Sequence, residues 1–185
     1  MAELDYLNCP GAQLTTSERV FLRDQAARVW RDCGAPTVIV NIGVMWGASI
    51  VCLRMGAPTA RIYGVDIDFD TYPAKCSGFV PLEGDSTKLH EGFEGPVHLL
   101  FVDGDHHYDT VAKDIAGWVP KVPVGGIVIF HDYRPTAHNL KQFPELRGVK
   151  RAVDEWAEAA LGDDWTKLPC PDSLAAFRRY PDAPS

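Results

Sequence analysis

The chain has 185 residues, 18 basic and 25 acidic side chains, a net charge of −7 and 46% hydrophobic residues. At about 100 to 200 residues per domain, this predicts a single domain over 1–185 with a core of its own. The acidic balance and the lack of any lysine- and arginine-rich stretch argue against nucleic acid or anionic lipid as partner. No apolar run approaches the roughly 18 residues of a membrane span, and the first residues offer neither a basic region nor an apolar signal core. Five cysteines without a CxxC pair argue against a disulfide framework and a structural zinc site, so a reducing cytoplasm is the expected location.

Thr15-Thr16-Ser17-Glu18 is a capping box, and Leu22, Ala26, Val29 and Cys33 recur at helical spacing up to Gly34. Residues 1–36 are therefore expected to form an N-terminal helical segment. The β-branched run 37–42 predicts a strand buried on both faces, and a helix is expected between Gly47 and Gly56. Residues 61–66, 78–82, 97–102 and 126–130 predict four further strands, with a helix face marked by Val111, Ile115 and Trp118 before the last of them. Val153, Trp156, Ala157, Ala160 and Leu161 form another helical stripe, and DWTKL with SLAAFRRY predicts a closing hairpin. Strands alternating with helices imply an α/β, doubly wound, Rossmann-like sheet, mainly parallel, with helices on both faces. Ligands then bind at the carboxyl ends of the strands.

Those ends carry the polar residues. Asn41, Gly43, Met45, Gly47 and Ser49 follow the first strand, and Asp66 closes the second. A glycine turn followed about 20 residues later by an acid suits a nucleoside, because the acid accepts hydrogen bonds from ribose hydroxyls and glycine lets backbone approach the ligand. A dinucleotide fingerprint needs glycine where Met45 stands, whereas S-adenosylmethionine has no phosphates to cradle. Asp85 and Ser86 after the third strand fit recognition of an adenine amino group, and are also common turn chemistry. The fourth strand ends in Asp103-Gly104-Asp105-His106-His107 and the fifth in His131-Asp132. Adjacent strand ends lie about 5 Å apart, so Asp103, His131 and Asp132 are candidates to converge on one metal ion, or to form a hydrogen-bonded network without one. His98, Trp118 and Trp156 read as core residues, His90 as a polar loop residue without a partner, and the Arg178-Arg179 pair as exposed.

Taken in order, Ile-Gly-x-x-x-Gly-x-Ser, Gly-Val-Asp, Gly-Asp-Ser, Val-Asp-Gly-Asp-His and Phe-His-Asp-Tyr make the chain resemble the class I S-adenosylmethionine-dependent methyltransferases, in particular the small metal-dependent O-methyltransferase-like group. The resemblance runs from about residue 37 to the segment 148–156. It implies seven strands with the last antiparallel, and Asn41, Gly43, Gly47, Ser49, Asp66, Asp85, Ser86 and Asp103 around the cofactor. It further implies Asp103, His131 and Asp132 as ligands of a divalent metal, magnesium or manganese, and His106 as the general base, with His107 as the competing choice. Asn41 stands where the family usually has an acid and Met45 where glycine is frequent. His131 replaces an oxygen donor, which favours manganese, iron or another softer ion over magnesium. The activity implied is transfer of a methyl group to a hydroxyl of a small molecule, a sugar or a phenolic metabolite. A cofactor-binding module without turnover, and a metal-dependent hydrolase or oxygenase, are the rival readings. Residues 133–147 are the candidate substrate lid, with an open cleft, or cover by a partner subunit of a homo-oligomer, as the alternatives.

Overall fold

A computed structural model of the chain describes residues 13–70, 76–160 and 164–181. Cys9, the rest of residues 1–12 in the expected helical segment, and Leu161 of the C-terminal stripe lie outside the described residues.

The strands are Val38–Ile42 (β1), Arg61–Asp66 (β2), Val80–Glu83 (β3), Leu99–Val102 (β4), Ile127–Phe130 (β5), Trp165–Leu168 (β6) and Ala175–Arg179 (β7). The helices are Thr16–Cys33 (α1), Ala48–Gly56 (α2), Ser86–Leu89 (α3), Tyr108–Trp118 (α4), Ala137–Gln142 (α5) and Arg147–Ala160 (α6). All strands belong to one sheet of order β3-β2-β1-β4-β5-β7-β6. β1 to β5 pair in parallel, and β7 inserts antiparallel between β5 and β6. The expected hairpin thus closes the sheet, with the final strand running against its neighbours.

Burial follows from covering both faces. In β4 all four residues are buried, because successive side chains alternate between two apolar layers. Leu100 and Val102 join Val111, Ile115, Trp118, Val149 and Val153 from α4 and α6 on one face. Leu99 and Phe101 join Leu22, Ala26, Val29, Ile50 and Leu53 from α1 and α2 on the other. The capping box forms as read: the Thr15 hydroxyl accepts from the Glu18 N–H at 3.2 Å while a Glu18 carboxylate oxygen accepts from the Thr15 N–H at 2.8 Å. β4 starts two residues later than its apolar run suggests. His98 instead turns its Nδ1 to accept the Val38 N–H at 3.0 Å.

Two sequence readings need adjustment. His90 has a partner, its ring standing 6.3 Å from that of Trp118. The arginine pair is not a free surface feature, since Arg178 meets Asp32 at 2.9 Å and Arg179 meets Asp164 at 2.5 Å. β7 lies inside the sheet, so its side chains are drawn against neighbouring elements. The candidate lid segment 133–147 consists mostly of α5 and a short 3-10 turn at Pro144–Leu146. Among the described residues, no helix is long and apolar enough to cross a membrane.

One core residue contradicts the apolar pattern of α4. Asp114 is fully buried, and neither carboxylate oxygen finds a hydrogen-bond partner among the described residues. Burial, opposed in part by the nearby Ser86 hydroxyl and reinforced by the charges of Asp85 and Asp105, pushes its pKa up from 3.8 to about 6. The folded state then holds a proton that the unfolded chain releases, so this group costs stability as pH rises from about 4 through 6. Above that window the cost approaches about 3 kcal/mol. Asp114→Asn is expected to raise the melting temperature by roughly 5–10 °C at pH 8 and to change it little at pH 4. Equal melting temperatures at pH 8, read by calorimetry, would contradict this.

Candidate active site

The strand order reverses between β1 and β4, and such a switch point opens a crevice at the carboxyl ends of the strands. A cavity of about 650 Å³ lies there, within the range of small-ligand sites. Its walls include Gly43, Ser49, Asp66, Asp85, Ser86, Asp103 and His106. These are most of the residues that the sequence singles out.

The turn after β1 is shaped by backbone limits. Gly43 has φ +81°, and a Cβ built on it would sit 1.9 Å from the Asp103 carbonyl oxygen, so no larger residue fits without moving β4. Gly47 takes φ 87° at the N-cap of α2. Met45 is left-handed as well, at φ 47°, which accounts for glycine as the usual residue there. Asp66 compensates: its Oδ2 accepts from the N–H groups of Val44 at 2.8 Å and Met45 at 2.9 Å. Its Oδ1 is only weakly engaged, by the Asp68 N–H at 3.4 Å. One oxygen therefore closes the turn while the other remains available to a ligand.

Asn41 stands apart from the other cofactor candidates. It is sealed beneath the turn, its Nδ2 donating to the Gly43 carbonyl at 2.8 Å, while its Oδ1 is buried without a hydrogen-bond partner among the described residues. Asp85 spends its side chain as the N-cap of α3, accepting from the Thr87 N–H at 3.0 Å and hydroxyl at 2.6 Å. Ser86 offers its carbonyl to the Trp118 indole at 3.0 Å.

Beside this cavity the ends of β4 and β5 bring Asp103, His131 and Asp132 together, with one potential ligand atom from each within 4.8 Å of the others. His131 Nδ1 lies 2.9 Å from Asp103 Oδ1 and 3.3 Å from Asp132 Oδ2. It is buried and satisfies hydrogen-bond geometry with neither, nor with any other described residue. Asp132 is left-handed at φ 53°, a conformation that is uncommon outside glycine and concentrates at functional sites. Two carboxylate oxygens and an unsatisfied imidazole nitrogen turned to one point fit a divalent cation, with the nitrogen favouring a softer ion than magnesium.

The two histidines of the β4 loop separate cleanly. His106 lines the cavity, and its Nε2 faces Asp132 Oδ2 at 3.3 Å. Gly148 at the start of α6 packs directly on this loop, leaving no room for a Cβ against the Tyr108 N–H and the His106 carbonyl. His107 points outward and pairs through Nδ1 with Asp105 Oδ1 at 2.7 Å. Burial opposes a charged His106, but the Asp132 carboxylate facing its Nε2, with the charges of Asp103 and Asp132, outweighs it and raises its pKa. Burial likewise opposes a charged His131, yet Asp103, Asp132 and Glu18 together lift its pKa far above the usual imidazole value.

Glu18 is the residue that sequence reasoning left as a helix cap alone. It is 1% exposed and places Oε2 3.5 Å from His131 Nε2, on the opposite side of the ring from Asp103. Trp46, Ile67, Thr110 and Lys113 also line the cavity without having been singled out. For Ile67 a signal existed, an apolar residue directly after a strand end, which the structure leaves 71% exposed. The segment 133–147 contributes no wall to the cavity.

The methyltransferase-domain family matches residues 40–133, just over half of the chain, and the chain belongs to it. Solved structures share the fold. The O-methyltransferase NovP superposes with a TM-score of 0.68 at 17% identity, over 91% of this chain and 82% of NovP. The methyltransferase MycE of the mycinamycin biosynthetic pathway, in complex with Mg, SAH and mycinamycin VI, does so with a TM-score of 0.67 at 18% identity. That match covers 92% of this chain and 51% of MycE. An uncharacterised protein of Sinorhizobium fredii, y4gI, is 31% identical over 72 residues, which are 37% of this chain and 8% of that protein. The chain thus spans about half of MycE and a small part of y4gI.

Gly43→Ala should destabilise the protein by about 2–5 kcal/mol, from the left-handed backbone and from the clash with the Asp103 carbonyl. Denaturant unfolding measures the loss. A change under about 0.5 kcal/mol would show that β1 and β4 are not in this close contact.

Proposed function

We propose that this chain transfers a methyl group from S-adenosylmethionine to a hydroxyl of a small molecule, a sugar or a phenolic metabolite, at a site that also binds a divalent cation. The observation that carries the reading is a single cavity walled by the Gly43 turn, Asp66, Asp103 and His106, with the Asp103/His131/Asp132 cluster at its side. NovP, an O-methyltransferase, and MycE, whose structure contains Mg and SAH, support it through the shared fold.

When bound, the cofactor supplies an electrophilic methyl carbon, and a divalent cation lowers the pKa of a hydroxyl oxygen that it coordinates. The chain does the rest by placement. Asp66 offers its weakly engaged Oδ1 to the ribose hydroxyls while Oδ2 keeps the turn closed. Gly43 and Gly47 give the turn its left-handed backbone, and Ser49, Asp85 and Ser86 line the cavity on the side we assign to the cofactor. Asn41 shapes the turn from below. Asp103, His131 and Asp132 would hold the cation, with manganese or another softer ion preferred over magnesium because of the imidazole. His106 takes the acceptor's proton, and Asp132 beside it orients the ring. Methyl transfer is an in-line displacement, so alignment and removal of this proton are what the protein must provide.

Asp66→Asn should weaken binding of S-adenosylhomocysteine roughly tenfold to a hundredfold in a folded protein, as expected for loss of a charge-assisted hydrogen bond. Calorimetric affinity equal to wild type would remove Asp66 from the cofactor site. Chelation should abolish turnover and spare S-adenosylhomocysteine binding, and His106→Gln should cost about 10²–10⁴ in rate with cofactor affinity intact. Cofactor binding without methylation of any sugar or phenol hydroxyl, in protein loaded with manganese, would point instead to a binding module. Full activity of metal-stripped protein would remove the cation from the reading.

A further inference from the structure

We propose that Glu18 is a positioning residue for the cation site: its carboxylate holds the Nε2 edge of His131, so that Nδ1 is the atom presented with Asp103 and Asp132 to a divalent ion. The inference deepens the reading above and rests on its cation site.

Glu18 does more than a cap requires. The capping box needs one oxygen to accept the Thr15 N–H, which glutamine supplies equally well at exposed helix starts. Here the carboxylate is 1% exposed, a costly place for a charge unless it is fully partnered. Oε1 accepts from the Ser173 N–H at 2.9 Å and from its hydroxyl at 2.6 Å. Oε2 accepts from the Thr15 N–H at 2.8 Å and faces His131 Nε2 at 3.5 Å. The group is thus pinned on three sides by α1 and by the turn before β7, and its fourth side meets the imidazole.

A carboxylate only accepts hydrogen bonds, so the ring edge that it faces carries a proton. In a neutral ring the other nitrogen then presents its lone pair. That nitrogen is Nδ1, which is buried, lies 2.9 Å from Asp103 Oδ1 and 3.3 Å from Asp132 Oδ2, and makes no satisfactory hydrogen bond with a described residue. A carboxylate behind a ligating histidine fixes the ring's orientation and tautomer and raises its basicity. Glu18 stands in that place, contributed by the first turn of α1, far from either strand end in sequence.

The test compares wild type with Glu18→Gln and Thr15→Ala, titrated with Mn²⁺ in a calorimeter, with pulsed EPR recording nitrogen modulation on the bound Mn²⁺. An amide has one oxygen, which serves either Ser173 or the Thr15 and His131 side, and it carries no charge. Glu18→Gln should therefore lose about 10- to 100-fold in Mn²⁺ affinity, with weakened nitrogen modulation, while its affinity for S-adenosylhomocysteine changes less than about twofold. Thr15→Ala removes the other half of the capping box and should lower the melting temperature while leaving Mn²⁺ affinity and nitrogen modulation at wild-type values. A purely structural role for Glu18 predicts that the two variants behave alike. Should Glu18→Gln fail to fold, Ser173→Ala removes the hydroxyl that donates to Oε1, leaving only the Ser173 N–H there, and should lower Mn²⁺ affinity severalfold. Wild-type affinity and modulation in the folded Glu18 variant, or in Ser173→Ala, overturn the inference alone. Wild-type protein that binds no Mn²⁺, or binds it without nitrogen modulation, overturns it together with the cation site.

Discussion

The backbone contact between Gly43 and Asp103 joins the two halves of the site. β1 and β4 are paired in parallel, and just beyond their last residues the chain at Gly43 passes so near the Asp103 carbonyl that a Cβ would lie 1.9 Å from it. The turn proposed for the cofactor and the carboxylate proposed for the cation therefore share a wall with no side chain in it. Since interiors are packed too closely to absorb such a displacement, a shift of either element is felt by the other. The spacing between the proposed cofactor turn and the proposed cation site is consequently a property of the sheet.

Charge is the second constraint at this wall. Glu18, Asp103 and Asp132 surround His131, and Asp132 also faces His106. Three carboxylates in so small a volume require positive charge nearby, because burial of unpaired ions is costly. Without an ion the imidazoles supply it, which is why both histidine pKa values lie above normal and those of Glu18, at about 2, and Asp132 lie below. A divalent cation on Asp103 and Asp132 would take over that role. It would also offset the two charges that raise the pKa of His106, leaving that ring better able to accept a proton.

How much of this the sequence showed depends on the range of the interaction concerned. The capping box, the strands and the strand-end motifs are local patterns, and each was legible from residues close in the chain. Topology then predicted that Asp103, His131 and Asp132 would meet, because ends of neighbouring parallel strands must. Glu18 was legible only as a cap, since its other partners, Ser173 and His131, come from distant elements brought together by the closing of the sheet. The burial of Asp114 was hidden for a different reason: it occupies a polar position in an otherwise regular stripe, and nothing local indicates that the start of α3, with Asp85 and Ser86, packs beside it. Asn41 could be placed at the strand end but not aimed, because the side to which it turns is set by the carbonyl of Gly43.

Met45 shows why a departure from a family pattern need not disable a site. Its left-handed backbone carries a strain of order 1–2 kcal/mol that glycine would avoid. The Asp66 carboxylate answers it by accepting the N–H groups of both Val44 and Met45, charge-assisted bonds typically worth about 1.5–3 kcal/mol each. The strain is thus smaller than what holds the turn in place, so the turn keeps its shape with a side chain where glycine is usual. The same acid is the one proposed to hold the ribose, and this links turn and ligand energetically. A ligand that drew Oδ2 away from the turn would release the strain at Met45 and open the turn, whereas one that uses Oδ1 leaves it closed. The geometry therefore favours a nucleoside bound through the outer oxygen, with the inner oxygen reserved for the backbone that shapes the cavity.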